Sequence, residues 1–178
     1  MIDFDDIPGT VARLPDESVE QFLFDCLERR FGRAKLQTAD YTFTLTLPPG
    51  YRVLTPTMWI EAEVINGGAG QYFWNRLQDW REMTADAIDA YEEMGAVDQA
   101  AALRDCVRVF APFESECRRL SVDLGADGFW EFRKKWDALN YCGDNPLCDE
   151  EGKISTEYRV PWIRRNVALF CYYPQATQ

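Results

Sequence analysis

Asp79, Glu82, Asp86, Asp89 and Glu93 recur at spacings of three, four, three and four residues. At about 100 degrees per residue these positions fall within an arc of about 80 degrees, so a helix would carry all five carboxylates on one edge. No lysine or arginine interleaves on that edge. Like charges at these spacings repel by roughly 0.2–0.5 kcal/mol per pair, so helix stability alone would favour alternation of Glu and Lys. A row of this kind binds cations. From Asp79 to Glu93 a helix rises about 21 Å, roughly one carboxylate per 5 Å, whereas duplex DNA presents one phosphate per ~3.4 Å on each strand. With Glu92, Asp98 or the N-terminal acids as a second row, the edge could occupy a basic DNA-binding surface. The plainer reading of the same residues is a solvated helix face.

Other chemistries are poorly supplied. There is no histidine in the chain, and histidine is the commonest general base. Glu61 and Glu63 lie two apart, face different directions on a helix, and read as surface residues rather than a glycosidase pair. Cys142 and Cys148, with Asp144 and Asp149, lack zinc-knuckle spacing and a second ligand pair. Gly67-Gly68-Ala69-Gly70 precedes a helix as phosphate loops do, but no Lys-Ser/Thr follows it. No enzyme activity, metal or cofactor is expected. The balance of 19 Lys and Arg against 30 Asp and Glu gives a net charge of -11. That charge disfavours nucleic acid and anionic membranes as direct partners and favours a basic protein. It also serves solubility, which is a sufficient reason for it on its own.

The elements that must position these residues follow from periodicity. After an acidic tail over residues 1–15, a single helical domain is expected over 16–174. Ser18 to Gln21 has the form of a capping box, and Val19, Phe22, Leu23, Cys26 and Leu27 form one buried helical stripe. Tyr41, Phe43, Leu45 and Leu47 alternate with threonines, the pattern of a strand that Pro48-Pro49-Gly50 would end. Tyr51 to Leu54 could pair with it as a small β-hairpin within 41–54. Thr55-Pro56 reads as a cap and first-turn proline of a helix carrying Trp59, Ile60 and Val64. The next helix starts near Gln71 and reaches Met94, either unbroken or bent near Gln78, with Trp80, Met83, Ala87, Ile88, Tyr91 and Met94 on its inner side. Gly95 stops it, and Val97 to Phe110 forms another helix with Ala100, Leu103, Val107 and Phe110 on one face. A helix over Gly128 to Tyr141, a surface loop over 142–157, and a last helix from Pro161 through Phe170 complete a mainly α fold.

Between the two central helices stands Glu61-Ala-Glu63-Val-Ile-Asn66-Gly67-Gly68-Ala69-Gly70-Gln71-Tyr72-Phe73. Asn66, Gly67 and Gly68 accept positive φ cheaply and predict a corner with an αL cap. The string resembles the Asn-Gly-Gly-Phe-x-Gln-Tyr-Phe signature of a bacterial DNA-mimic protein family. It matches at Asn66, Gly67, Gly68, Gln71, Tyr72 and Phe73 and in the acidic lead-in, and departs at Ala69, where that family carries a large aromatic. The likeness extends over about residues 59–110 and includes the Gly95-Ala96 turn.

The resemblance implies a non-enzymatic acidic protein that inhibits a basic, DNA-binding protein by imitating phosphate rows, with Asp79, Glu82, Asp86, Asp89 and Glu93 as the stand-ins. An immunity or antitoxin protein that occludes a toxin's active site is the alternative, with Trp130, Trp136 or Trp162 as apolar anchors. The family and the 14% aromatic content are both compatible with a homodimer. The acidic start of the chain and the lack of about 18 consecutive apolar residues point to a cytoplasmic protein. Reduced thiols are expected there, with Cys26, Cys106 and Cys171 on apolar helical faces.

Overall fold

The computed structural model describes residues 5–38, 41–135, 145–149 and 152–171, and every regular element among them is helical. By its contacts the chain divides into two compact units, residues 1–55 with 152–178, and residues 56–151.

The first unit holds α1 (Ile7–Arg13), α2 (Asp16–Phe31), α3 (Arg33–Thr38), α4 (Tyr41–Thr44) and the opening turns of α5 (Pro49–Asn75). A π-helical segment, Ile154–Arg159, leads into α10 (Val160–Arg165) and a 3-10 turn, Val167–Phe170. The stripe Val19, Phe22, Leu23, Cys26 and Leu27 is buried as its spacing predicts. Tyr51 donates its hydroxyl to the Leu23 carbonyl at 3.1 Å and meets the Phe170 ring edge-on at 5.0 Å. Gly50 permits that packing, since a Cβ there would lie 2.7 Å from the Phe170 ring. Arg159 is buried and reaches Glu20 at 3.3 Å, while the Ser155 hydroxyl donates to the same carboxylate at 2.8 Å. Arg164 ties α10 to the start of α2 through Asp16 and the Leu14 carbonyl.

Several expectations for this unit need correction. No hairpin occupies the described part of 41–54, because Tyr41–Thr44 is helical and α5 begins at Pro49. Within 41–47 the buried residues are Tyr41, Thr44 and Leu47, three apart, while Leu45 is exposed. Seven alternating residues with no partner strand cannot bury a sheet face, so helical turns prevail. Proline is well placed at the start of a helix; here Pro49 takes that role, and the Thr55-Pro56 pair lies inside α5. The capping box also fails. Pro15 precedes the helix, the acidic pair Asp16 and Glu17 fills its first turn, and Gln21 instead donates to Asp25 at 2.8 Å. Acidic residues in a first turn complement the helix dipole, which favours the earlier start. Within the expected tail, α1 is capped by Asp6, which accepts from the Gly9 amide at 2.9 Å, and it buries Ile7 and Val11. The expected loop ends early, since Ile154 is buried in the π-helical segment. Trp162 is core rather than an anchor, and Trp136 lies outside the described residues.

The second unit contains the remainder of α5, α6 (Trp80–Met94), α7 (Val97–Phe110), a 3-10 turn, α8 (Glu114–Leu124) and α9 (Ala126–Lys135). α6 packs on α7 through the Gly95 turn, whose φ of 88° suits glycine, and α8 packs on α9. The centre is aromatic: Phe73 stacks on Phe110 at 4.2 Å, and Trp80 and Phe132 meet Phe110 edge-on at 5.2 and 6.2 Å. Cys148 is disulfide-bonded, which corrects the expectation of reduced thiols throughout, whereas Cys26, Cys106, Cys117 and Cys171 are free. Cys171 is exposed and Cys106 half-buried, so only Cys26 of the three expected apolar-face thiols is fully buried. Among the described residues no helix is long and apolar enough to cross a membrane.

Candidate partner-binding edge

The glycine corner is built by residues 63–75 and lies inside α5, upstream of the acidic helix rather than at its start. Gly67 is extended, at φ -164°, and Gly68 alone has positive φ, at 79° with ψ 173°. The expected αL cap is therefore a break inside α5, carried by Gly68 and not by Asn66. Across it, Glu63 accepts hydrogen bonds from the Gln71 amide at 2.7 Å and the Asn75 amide at 2.9 Å. Gly67 leaves room for this clamp, because a Cβ there would sit 2.2 Å from the Gln71 side-chain oxygen. Tyr72 and Thr84 share a 2.7 Å hydrogen bond that joins α5 to α6. Burial pushes the Tyr72 phenol well above its usual range, so it remains a neutral partner. Ala69 is buried, at 2% exposure. Gly68→Ala should destabilise the protein by roughly 1–3 kcal/mol, since its φ and ψ lie in a region essentially reserved for glycine; chemical denaturation measures this.

Glu61 corrects a further expectation. It is buried, at 8% exposure, and accepts the Tyr91 hydroxyl at 2.9 Å. A carboxylate next to the corner thus ties α5 to α6, and Glu61 and Glu63 both serve the fold rather than the surface.

Residues 76–79 form a turn, which settles the break between α5 and α6. Asp79 stands at the N-cap of α6, half-buried, without a side-chain capping bond. Glu82, Asp89 and Glu93 are exposed and Asp86 is half-buried, all on α6. The opposite face buries Trp80, Met83, Thr84, Ala87, Ala90, Tyr91 and Met94; Ile88, expected inside, is half-buried at the margin. The row is therefore anchored by a full apolar face. Among the described residues, neither Glu82 nor Asp89 has an ion-pair partner. Glu92, expected in a second row, is paired with Arg104 at 2.5 Å.

Charge is distributed unevenly along the chain. Residues 56–151 hold 20 of the 30 acids but only 9 of the 19 basic residues, so this unit carries the whole net charge of -11 while the other unit is balanced at ten and ten. Within it, α8 and α9 are neutralised locally. Glu114 binds Arg81 and Arg118, Glu116 binds Lys135, Asp123 binds Arg119 and Glu131 binds Lys134. Among the described residues, Glu82 and Asp89 of α6 stand outside such pairs. This asymmetry was open to reading from composition, but only once the unit boundaries were known.

The paired carboxylates give the fold an acid limit. Burial would raise the Glu114 carboxyl, but hydrogen bonds from Arg118 and Arg81 outweigh it and hold it below the usual 4.5. A hydrogen bond from Lys135 lowers Glu116, and one from Lys134 lowers Glu131. Groups depressed in the folded state stabilise it above their unfolded pKa and cease to do so as pH falls through the folded value. Stability should therefore hold down to about pH 5 and decline below about 4.5. Thermal melts across that range check the limb, which Glu114→Gln should flatten.

Together these features define an acidic, mainly helical protein with a glycine corner inside α5 and a carboxylate-edged helix, α6, that follows it. The chain belongs to the DMP19-like protein family: the family model matches residues 45–166, more than half the sequence. No curated protein and no solved structure matches the chain.

Proposed function

We propose that the protein binds a basic, DNA-binding protein and blocks it by presenting the α6 row, Asp79, Glu82, Asp86, Asp89 and Glu93, where that partner takes up phosphates. The observation that carries this reading is the concentration of the entire -11 charge on residues 56–151. The anchored helix edge within that unit, without partners for Glu82 and Asp89 among the described residues, adds to it. Membership of the DMP19-like family supports it. The role requires no catalytic group, metal or cofactor.

Immobilised protein should retain such a partner from host extract at low salt and release it when duplex DNA is added, because the two ligands compete for one surface. If duplex DNA leaves the retained protein bound while a denaturant is needed to free it, the surface is not a DNA-binding one. The toxin-occluding alternative then gains ground, with the exposed Trp130 as its remaining described anchor.

A further inference from the structure

Arg76 occupies the turn that leads into the acidic row, and its backbone carbonyl accepts from the Asp79 and Trp80 amides at 3.1 and 2.7 Å. Its guanidinium lies over the Trp59 ring at 4.4 Å. In a unit with more than two acids per cation, seven of the nine basic residues, Arg81, Arg104, Arg108, Arg118, Arg119, Lys134 and Lys135, form ion pairs with carboxylates. Arg76 has no carboxylate partner and no side-chain hydrogen bond among the described residues, and its Nε is buried without an acceptor. An arginine so placed has its guanidinium held over the ring, which restricts its rotamers.

We infer that Arg76, stacked on Trp59, is a specificity contact that receives a single carboxylate of the partner. This rests on the function proposed above and deepens it. DNA-binding surfaces are cationic, yet they use Asp or Glu to accept hydrogen bonds from the cytosine amino group at a base edge. Such a carboxylate would be repelled by a purely acidic imitation of the backbone. Arg76 answers it with planar N–H donors on an aromatic plate, beside a row of anions, which reproduces the sequence of charges that a base edge and its flanking phosphates present. A free phosphate or a nucleic acid is a poor occupant, because the unit's net charge of -11 opposes a polyanion.

The test is a coupling measurement with two synthetic peptides, each of six lysines interrupted centrally by one Glu or by one Gln. Affinities for the wild-type protein and for Arg76→Gln are measured at low salt, and thermal melts verify that the variant is folded. In the wild type the Glu peptide should gain on the Gln peptide by about tenfold relative to the same comparison in Arg76→Gln, the size of a charge-assisted hydrogen bond at a partly shielded site. Arg76→Lys, which keeps the charge but loses the planar fork, should recover only part of that coupling. If the two peptides keep the same affinity ratio in both proteins, within twofold, Arg76 reads no carboxylate and the inference is overturned, while salt-sensitive binding of both peptides leaves the acidic row intact. If neither peptide binds at all, the row is not a cation-binding surface and the inference falls with it. Should Arg76→Gln fail to fold, Trp59→Leu supplies the second variant; unchanged coupling in it would equally overturn the stacked arrangement.

Discussion

Phe73→Ala should destabilise the protein by about 3–5 kcal/mol, the cost of deleting a fully enclosed aromatic side chain and leaving a cavity. Phe73 has no exposed surface, lies parallel to Phe110 at 4.2 Å with an interplanar angle of 8°, and meets Trp80 edge-on at 5.5 Å. These rings hold α5, α6 and α7 together directly behind the glycine corner, so the loss is felt by three helices at once. Phe110→Ala removes the other half of the same stack. The double variant should lose less than the sum of the two, because one cavity serves both deletions. Phe73→Leu keeps most of the volume and should cost about 1–1.5 kcal/mol. Urea denaturation of the four proteins measures all of this; a Phe73→Ala effect below about 1 kcal/mol would mean that the stack is not the centre of the unit.

Replacing Glu82, Asp86 and Asp89 together by lysine should weaken partner binding at low salt by at least about a hundredfold, most of it in the association rate. Stability should move the other way. The three substitutions leave the apolar face of α6 untouched; the pairs among the three stay like-charged, while those with Asp79 and Glu93 turn from repulsive to attractive, worth about a few tenths of a kcal/mol each. The thermal midpoint should therefore hold or rise. That combination separates a binding row from a structural one, because residues retained for the fold lose stability when changed. Association kinetics and melts on the same samples decide it; a variant that binds like the wild type would reduce the row to a solvated face.

Much of this architecture follows from local pattern. Val97–Phe110, the αL stop at Gly95 and the buried stripe of α2 are set by spacing and by one glycine, and the structure places them where the sequence does. The carboxylate row is equally local, apart from Asp79, which precedes the helix by one residue. Features that depend on distant partners were not legible. Residues 41–47 alternate like a strand, but the outcome depends on surfaces elsewhere in the chain. Glu61 looks like an exposed helix residue until Tyr91, thirty positions later, closes over it. The burial of Trp162 and the lack of a carboxylate partner for Arg76 among the described residues are likewise properties of packing, since nothing in their neighbours' types announces them. The Asn-Gly-Gly string marks the corner correctly, yet only the structure shows that Gly68 makes the turn while Glu63, Gln71 and Asn75 lock it.

On the proposed function, the α6 edge substitutes for DNA on a basic partner. The dissociation constant of the retained partner, followed across salt concentrations from about 50 to 200 mM, tests it most directly. A surface bound through several ion contacts should lose affinity steeply as salt rises, and the lysine-substituted row should flatten that slope. An affinity that stays constant over this range, with the wild-type and substituted rows indistinguishable, would contradict the account.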